Sequence, residues 1–222
     1  MLRSGCYGNR CDMKKRCFIA GAGEYCGLLT PSAGDFVIAA DGGYAELVSR
    51  GISPDLVVGD FDSLGEIPDH PNVIRTNVEK DDTDMVTAVK EGIARGFNEF
   101  IIDGGLGGRL DHTFANIQTI VFLAQNNARG YLIGKDTTIT AITDSSIAYI
   151  PEAKGRISVF ASGNTASGVT ISGLKYTLAN GLLTNDYPLG VSNEFVGEPA
   201  VVSVTQGTLI IMWTGGLDAI AK

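Results

Sequence analysis

The apolar residues of this chain change their rhythm near residue 135, and that change limits the folds open to it. Before that point, short apolar runs at 17–20, 36–40, 56–58, 73–74, 100–102 and 131–133 have the length and β-branched content of buried strands. Between them lie stretches of helical period. A short helix at 44–50 is stopped by Gly51, and one at 83–95 carries Met85, Val86, Val89 and Ile93 on one stripe, with Gly96 past its end. A third helix is expected on Leu110, Phe114, Ile117, Val121 and Ala124. Strands alternating with helices predict an α/β domain, a mostly parallel twisted sheet flanked by helices. After residue 135 the runs ITAIT, IAYI, RISVF, VTIS, AVVSV and TLIIMW alternate with Gly, Asn, Ser and Pro turns, the pattern of an all-β sandwich. Two domains are therefore expected, at 13–135 and 136–222. Residues 1–12 lack any period, precede a second methionine, Met13, and read as a disordered or non-native extension.

The bulk properties exclude several classes of function. In 222 residues, 44% hydrophobic content is ample for a core, and a net charge of -8 opposes a general nucleic-acid surface, which needs a basic footprint. No apolar run approaches the roughly 20 residues of a membrane-spanning helix, and the opening MLRSGCYGNRC lacks the apolar centre of a signal peptide. The expected setting is the cytoplasm, with neither membrane nor nucleic acid as partner. Cys6, Cys11, Cys17 and Cys26 show no paired spacing for zinc and read as free thiols.

Chemistry enters with the acids. In VVGDFDS, Asp60 and Asp62 fall just past the end of a buried strand, the edge where open α/β sheets bind ligands. Asp41 in IAADGGY, Asp81, Asp82 and Asp84 in KDDTD, and Asp111 in GGRLDH occupy similar positions. Two carboxylates about 6 Å apart repel by about 3 kcal/mol at an effective dielectric near 20, so convergence calls for a hard cation such as Mg²⁺. On a helix Asp81 and Asp84 share a face, with Asp82 turned toward solvent, and Lys80 and Thr83 beside them add to the look of a phosphate and metal site. The run GGLGGRLDH is the most distinctive. Gly104, Gly105, Gly107 and Gly108 around Leu106 let backbone amides approach a ligand, Arg109 can fork onto phosphate oxygens, and Asp111 and His112 open a helix. It lacks the Lys-Ser/Thr ending of a P-loop, and the earlier GAGEYCG lacks the later glycine of a dinucleotide fingerprint.

Taken together, ADGGY, PDLVVGDFDS, KDDTD and GGLGGRLDH, followed by GLKYTL and GVSNEF in a β region, resemble the thiamine pyrophosphokinase family from Met13 onward. The resemblance implies an N-terminal α/β domain, a C-terminal β-sandwich and a homodimer with active sites at the subunit interface. It also implies transfer of the pyrophosphoryl group of ATP to the hydroxyl of thiamine, releasing AMP. By the same resemblance Asp60, Asp62 and Asp84 are the magnesium-binding and catalytic acids. Asp41, Gly42, Asp81 and Thr83 line the nucleotide site, and the turn from Gly104 to Arg109, with Asp111 and His112, binds ATP. Tyr176 packs on the thiamine ring, and Ser192 and Asn193 make polar contacts to it. Two positions depart from the pattern: Thr177 replaces a common proline, and Asp82 stands where many members have lysine.

The residues themselves support the same chemistry. Thiamine is cationic and is drawn to an acidic protein, while Mg²⁺ and Arg109 offset the charge of ATP. Two rivals stay open at this level. VVGDFDSL also resembles the aspartate nucleophile motif of haloacid-dehalogenase phosphatases, although that motif normally ends the first strand and two strands precede it here. A non-catalytic nucleotide sensor is the other.

Overall fold

The computed structural model describes residues 16–25, 30–61, 68–76 and 82–221. Six strands form its first half: β1 (Cys17–Ala20), β2 (Phe36–Ala40), β3 (Leu56–Gly59), β4 (Val73–Arg75), β5 (Glu99–Asp103) and β6 (Arg129–Ile133). Helix α1 (Gly43–Ser49) follows β2, α2 (Asp84–Ala94) precedes β5, and α3 (Leu110–Gln125) precedes β6. All six strands pair in parallel, in the order β4-β3-β2-β1-β5-β6. The chain thus steps outward from β1 to β4 on one side and then returns to the other side of β1. That reversal brings the turns after β1 and β5 together at one edge.

Side-chain alternation along these strands feeds two cores. Cys17, Ile19, Ile38, Val58, Phe100 and Ile102 pack on Met85, Ala88 and Val89 of α2 and on Ile120 and Leu123 of α3. Phe18, Ala20, Val37, Ala39, Val57 and Ile101 face the other way, toward Leu47 of α1. Through Tyr131 and Ile133 this second core runs on into the β-rich half, to Ile142, Tyr149, Ile157 and Trp213.

The remaining strands are β7 (Thr137–Thr143), β8 (Ser146–Tyr149), β9 (Arg156–Ser172), β10 (Leu178–Thr184), β11 (Gly190–Glu194), β12 (Ala200–Ser203) and β13 (Gln206–Thr214). Because β7 pairs antiparallel with β6, hydrogen bonding crosses residue 135 without a break and the sheet is mixed. Its path continues β7-β13-β9-β12-β8, with β10 and β11 also paired to β9. RISVF and VTIS, expected as separate strands, are the two ends of the 17-residue β9. Gly163 and Gly168, at φ 85° and 66°, bend it between them. One end pairs with β13 and β11, the other with β10 and β12. The architecture expected from sequence therefore holds in coarser form, a mixed sheet with few helices, in which α2 and α3 cover one face of the parallel run.

The expected stripe of α3 also needs correction. Its buried face is Asn116, Thr119, Ile120 and Leu123. Leu110 and Phe114 are 81% and 62% exposed, and Ile117, Val121 and Ala124 are only partly buried, because the helix turns a different side to the sheet. Strands β10 and β11 were not expected as such, and the reason is physical: only one residue of each is buried, so no apolar alternation marks them.

Two outcomes follow from this packing. A Cβ on Gly43 would stand 2.0 Å from the carbonyl oxygen of Ala20, so Gly43→Ala should lower stability in urea unfolding by about 1–3 kcal/mol. Cys17 is a buried free thiol whose pKa burial pushes up to about 12, so its peptide should resist alkylation at pH 8 until the protein unfolds. Cys6, Cys11 and Cys26 lie outside the described residues.

Candidate active site

Parallel pairing places two of the expected acids, Asp41 and Asp60, just past the ends of the neighbouring strands β2 and β3, about 4.8 Å apart along the edge. Asp41 follows β2 with φ 50°, and its amide donates to the carbonyl of Val58 on β3 at 2.8 Å. Asp60 follows β3. Thr76, just past β4, ties this corner together: its amide donates to the carbonyl of Gly59 at 2.9 Å and its hydroxyl to Asp84 Oδ1 at 2.8 Å. Thr83 caps α2, its hydroxyl accepting from the amide of Val86 at 3.2 Å, so Asp84 is held as the first helical residue. Asp62 and Asp81 lie outside the described residues, and among the described residues no three acidic, histidine or cysteine side chains converge to hold a metal ion. Asp82 is half-exposed and is met by Lys90, two turns along α2, at 2.6 Å.

The glycine turn is fixed by its carbonyls. That of Gly104 accepts from the amide of Gly23 at 2.7 Å, and that of Leu106 from the amide of Glu24 at 2.8 Å. The side-chain amide of Asn116 donates to the carbonyl of Gly105 at 2.7 Å, and the hydroxyl of Thr113 to that of Gly107 at 3.3 Å. In a planar trans peptide the N–H points opposite to the C=O. The amides of Gly107 and Gly108 are therefore turned away from the β1 turn and from α3 respectively, and Gly108 is exposed. Gly42 stands beside the β1 turn, where a Cβ would lie 3.1 Å from Cβ of Ala22.

Arg109 precedes α3 with its guanidinium largely in solvent, forked onto Asp111 at 2.6 and 3.2 Å. That hydrogen bond, more than any other cause, holds the Asp111 carboxyl down at about 2. His112 is exposed, and its amide donates to Asp111 Oδ1 at 3.0 Å.

Four residues of this edge were not singled out from sequence. Asp103, the last residue of β5, is fully buried, with Oδ1 accepting from the amide of Gly104 at 3.0 Å and Oδ2 3.8 Å from Arg50 Nη1. Arg50 lies 5.5 Å from the centroid of Tyr25, whose hydroxyl donates to the carbonyl of Gly21. Asn116 is the fourth. The signal for Asp103 was present, since IIDGG repeats the Asp-Gly-Gly ending of AADGG around Asp41.

In the β-rich half, Tyr176 is 61% exposed while Asn193 is 5% exposed. Asn193 serves Tyr176: its Oδ1 accepts from the amide of Tyr176 at 3.0 Å and its Nδ2 donates to the carbonyl of Tyr176 at 2.6 Å. Ser192 is exposed at φ 60°, its amide donating to Ser158 Oγ at 3.0 Å. Lys175 sits 5.6 Å from the centroid of the Tyr176 ring, so this ring already faces a cation.

Residues 30–132 match the family model described as thiamin pyrophosphokinase, catalytic domain, and residues 146–209 match that described as thiamin pyrophosphokinase, vitamin B1 binding domain. The chain belongs to the thiamin pyrophosphokinase family. It is 29% identical over 182 residues to the thiamine pyrophosphokinase of Bacillus subtilis strain 168, across 79% of this chain and 85% of that protein. A crystal structure of Bacillus subtilis thiamine pyrophosphokinase superposes with a TM-score of 0.79 at 27% identity, covering 91% of this chain and 100% of that one. Thiamin pyrophosphokinase from Candida albicans shares the fold, with a TM-score of 0.72 at 15% identity over 91% and 90% of the two chains. Membership of the thiamin pyrophosphokinase family makes the chain a transferase, a thiamine diphosphokinase. The catalytic match spans the acidic strand ends and the glycine turn, and the vitamin B1 match spans Tyr176, Ser192 and Asn193. The phosphatase and sensor readings find no support in it.

The Arg109–Asp111 pair sets a pH expectation. A carboxylate held below its ordinary value of 3.8 keeps its partner above that pH and loses it only as pH falls through about 2. Carboxyl carbon shifts followed by NMR should show Asp111 titrating near 2, and Arg109→Ala should return the midpoint toward 3.8.

Proposed function

We propose that the carboxyl edge of β2, β3, β4 and β5 is the MgATP site of a thiamine pyrophosphokinase, with thiamine held against Tyr176 of the β-rich half. The observation that carries this reading is the glycine turn whose successive carbonyls are bonded inward, leaving the amides of Gly107 and Gly108 toward a phosphate. Arg109 exchanges Asp111 for phosphate oxygens, a bidentate exchange its guanidinium geometry suits.

Mg²⁺ is the cation of this site, and the donors fit it: Asp60, Asp62 and Asp84 offer only carboxylate oxygens, the ligands hard cations take. When bound, it offsets charge on the phosphates of ATP and polarises the phosphorus under attack. Thr76, whose hydroxyl donates to Asp84, would steady that carboxylate as a ligand. Asp41, Gly42, Asp81 and Thr83 line the nucleotide, and His112 flanks the turn.

In the reaction the thiamine hydroxyl oxygen forms a bond to the β-phosphorus of ATP in line with the bond that breaks, and AMP leaves with the bridging oxygen. The hydroxyl proton passes to one of the aspartates. Positioning and charge neutralisation supply most of the catalysis, as phosphoryl transfer generally requires. Asn193 contributes by holding the backbone of Tyr176, and Ser192 supplies a polar contact to the ring.

The working unit of this proposal is a cytoplasmic homodimer in which the 13–135 half of one chain meets the 136–222 half of its partner. Exposed apolar side chains support it: Leu110 and Phe114 beside the glycine turn, and Leu182, Tyr187, Leu189 and Val191 along β10, β11 and the segment that joins them. The separate family matches on either side of residue 135 support the division.

Mixing protein, Mg²⁺, ATP and thiamine should yield AMP and thiamine diphosphate in equal amounts; ADP as product would overturn the transfer chemistry. Asp60→Asn and Asp62→Asn should each lower kcat by about 10²-fold or more with the fold retained by circular dichroism. Tyr176→Ala should raise KM for thiamine by a factor matching about 0.5–2 kcal/mol, leaving KM for ATP in place. Sedimentation should give a dimer, converted to monomer by Leu189→Glu; a wild-type mass of one 23.3 kDa chain would remove the interface from the proposal.

A further inference from the structure

The fully buried carboxylate of Asp103 has no part in the reaction as described above, yet it stands at the base of the glycine turn. A strand end that enters a core ordinarily carries an apolar residue, because a buried carboxylate is costly unless it is paired and hydrogen-bonded. Here the pairing is specific. Oδ1 takes the amide of Gly104, the first glycine of the turn, at 3.0 Å, and Oδ2 lies 3.8 Å from Nη1 of Arg50.

Arg50 is held from its other side by Glu46, 3.3 Å from its Nε, and it lies 5.5 Å from the centroid of Tyr25. The Tyr25 ring in turn closes on Gly104: a Cβ added there would stand 2.6 Å from Tyr25 Cζ. Its hydroxyl donates to the carbonyl of Gly21, and Gly23 and Glu24 bond to the carbonyls of Gly104 and Leu106. The contacts form a closed ring that runs from Asp103 to Arg50, to Tyr25, to the 21–24 segment, and back to the glycine turn.

We propose that Asp103 is a positioning residue for the nucleotide: through Arg50 and Tyr25 it clamps the base of the glycine turn, setting where the amides of Gly107 and Gly108 point. Asp103 touches neither substrate. The inference rests on the reading of the glycine turn as the ATP phosphate site, and it adds a specific consequence, that a charge buried under the turn tunes affinity for ATP and not for thiamine.

Steady-state kinetics of Asp103→Asn, Asp103→Leu and Arg50→Gln, with thermal melting of each, test it. Asn keeps an acceptor for the Gly104 amide but loses the charge that faces Arg50; Leu loses both. KM for ATP should rise about ten-fold in Asp103→Leu and less in Asp103→Asn, with kcat and KM for thiamine within about two-fold of wild type. Arg50→Gln should add little to Asp103→Asn, since the two act as one unit. If Asp103→Leu does not fold, the Asn variant and the double variant carry the test. The proposal is overturned if KM for ATP is unchanged in the Asn variant, or if KM for thiamine rises as much as that for ATP. Arg109→Ala separates the two layers. If it raises KM for ATP while Asp103→Asn does not, the turn stands as the phosphate site and Asp103 is excluded; if neither moves it, the reading of the turn falls as well.

Discussion

Backbone touching backbone, between the turns that follow β1 and β5, is the constraint on which the candidate site depends. Parallel strands side by side bring their carboxyl ends within a few ångströms, and the loops that leave them normally diverge to opposite faces, opening a crevice. Here they are laced together before they part. A Cβ on Gly21 would stand 2.5 Å from the carbonyl oxygen of Gly104, and one on Gly23 2.5 Å from that of Leu106. Gly21 and Gly23 are thus explained by close approach of another turn, which gives a Gly-x-Gly after the first strand a role other than dinucleotide binding. Because the β1 turn occupies one side of 104–106 and α3 the other, the turn can offer a ligand only its remaining face.

Most of the elements of the first half were legible because they rest on local signals. The apolar runs of β1, β2 and β3 are continuous where both faces are covered, and α2 is marked by its stripe and the glycine beyond it. What was not legible depends on partners distant in sequence. That RISVF and VTIS belong to one strand is decided by β13 and β12 pairing along its two ends, and the turn-like residues between them gave the opposite local indication. The face of α3 was misplaced because Leu110, Phe114, Ile117, Val121 and Ala124 fit an apolar period, yet the helix buries the side that carries Asn116, Thr119, Ile120 and Leu123.

The site was legible as a set of residue types and illegible as a set of pairings. Asp41 and Asp60 stand out in sequence as carboxylates past buried strands, and the sheet sets those strand ends side by side, while Asp84 reaches the same edge from the start of α2 through Thr76. Which cation meets which acid could not be read from spacing. Asp82, which raised a question of charge balance, is answered by Lys90 eight residues on, and Arg109 is held by Asp111 rather than standing open. Both pairs are exposed, where ion pairs contribute little and rearrange readily. In the proposed site a guanidinium parked on a weak partner can leave it for a phosphate, whereas the half-buried Arg50 is held by Asp103, Glu46 and Tyr25.

The two halves fix the segments proposed to meet the substrates by the same device. Asn116 and Asn193 are buried amides, 9% and 5% exposed, and each is bonded to main chain that belongs to no regular element, Gly105 in one case and Tyr176 in the other. Helices and strands satisfy their own backbones; irregular segments that approach a ligand cannot, and an unmet buried carbonyl costs about 1–3 kcal/mol. An asparagine side chain reproduces the donor and acceptor of a missing neighbour strand without adding a charge that would compete for the ligand. The aromatic face of Tyr176 and the amides of the glycine turn are consequently left outward because their backbones are held inward, and the residues that orient them lie one layer beneath those that a substrate would meet.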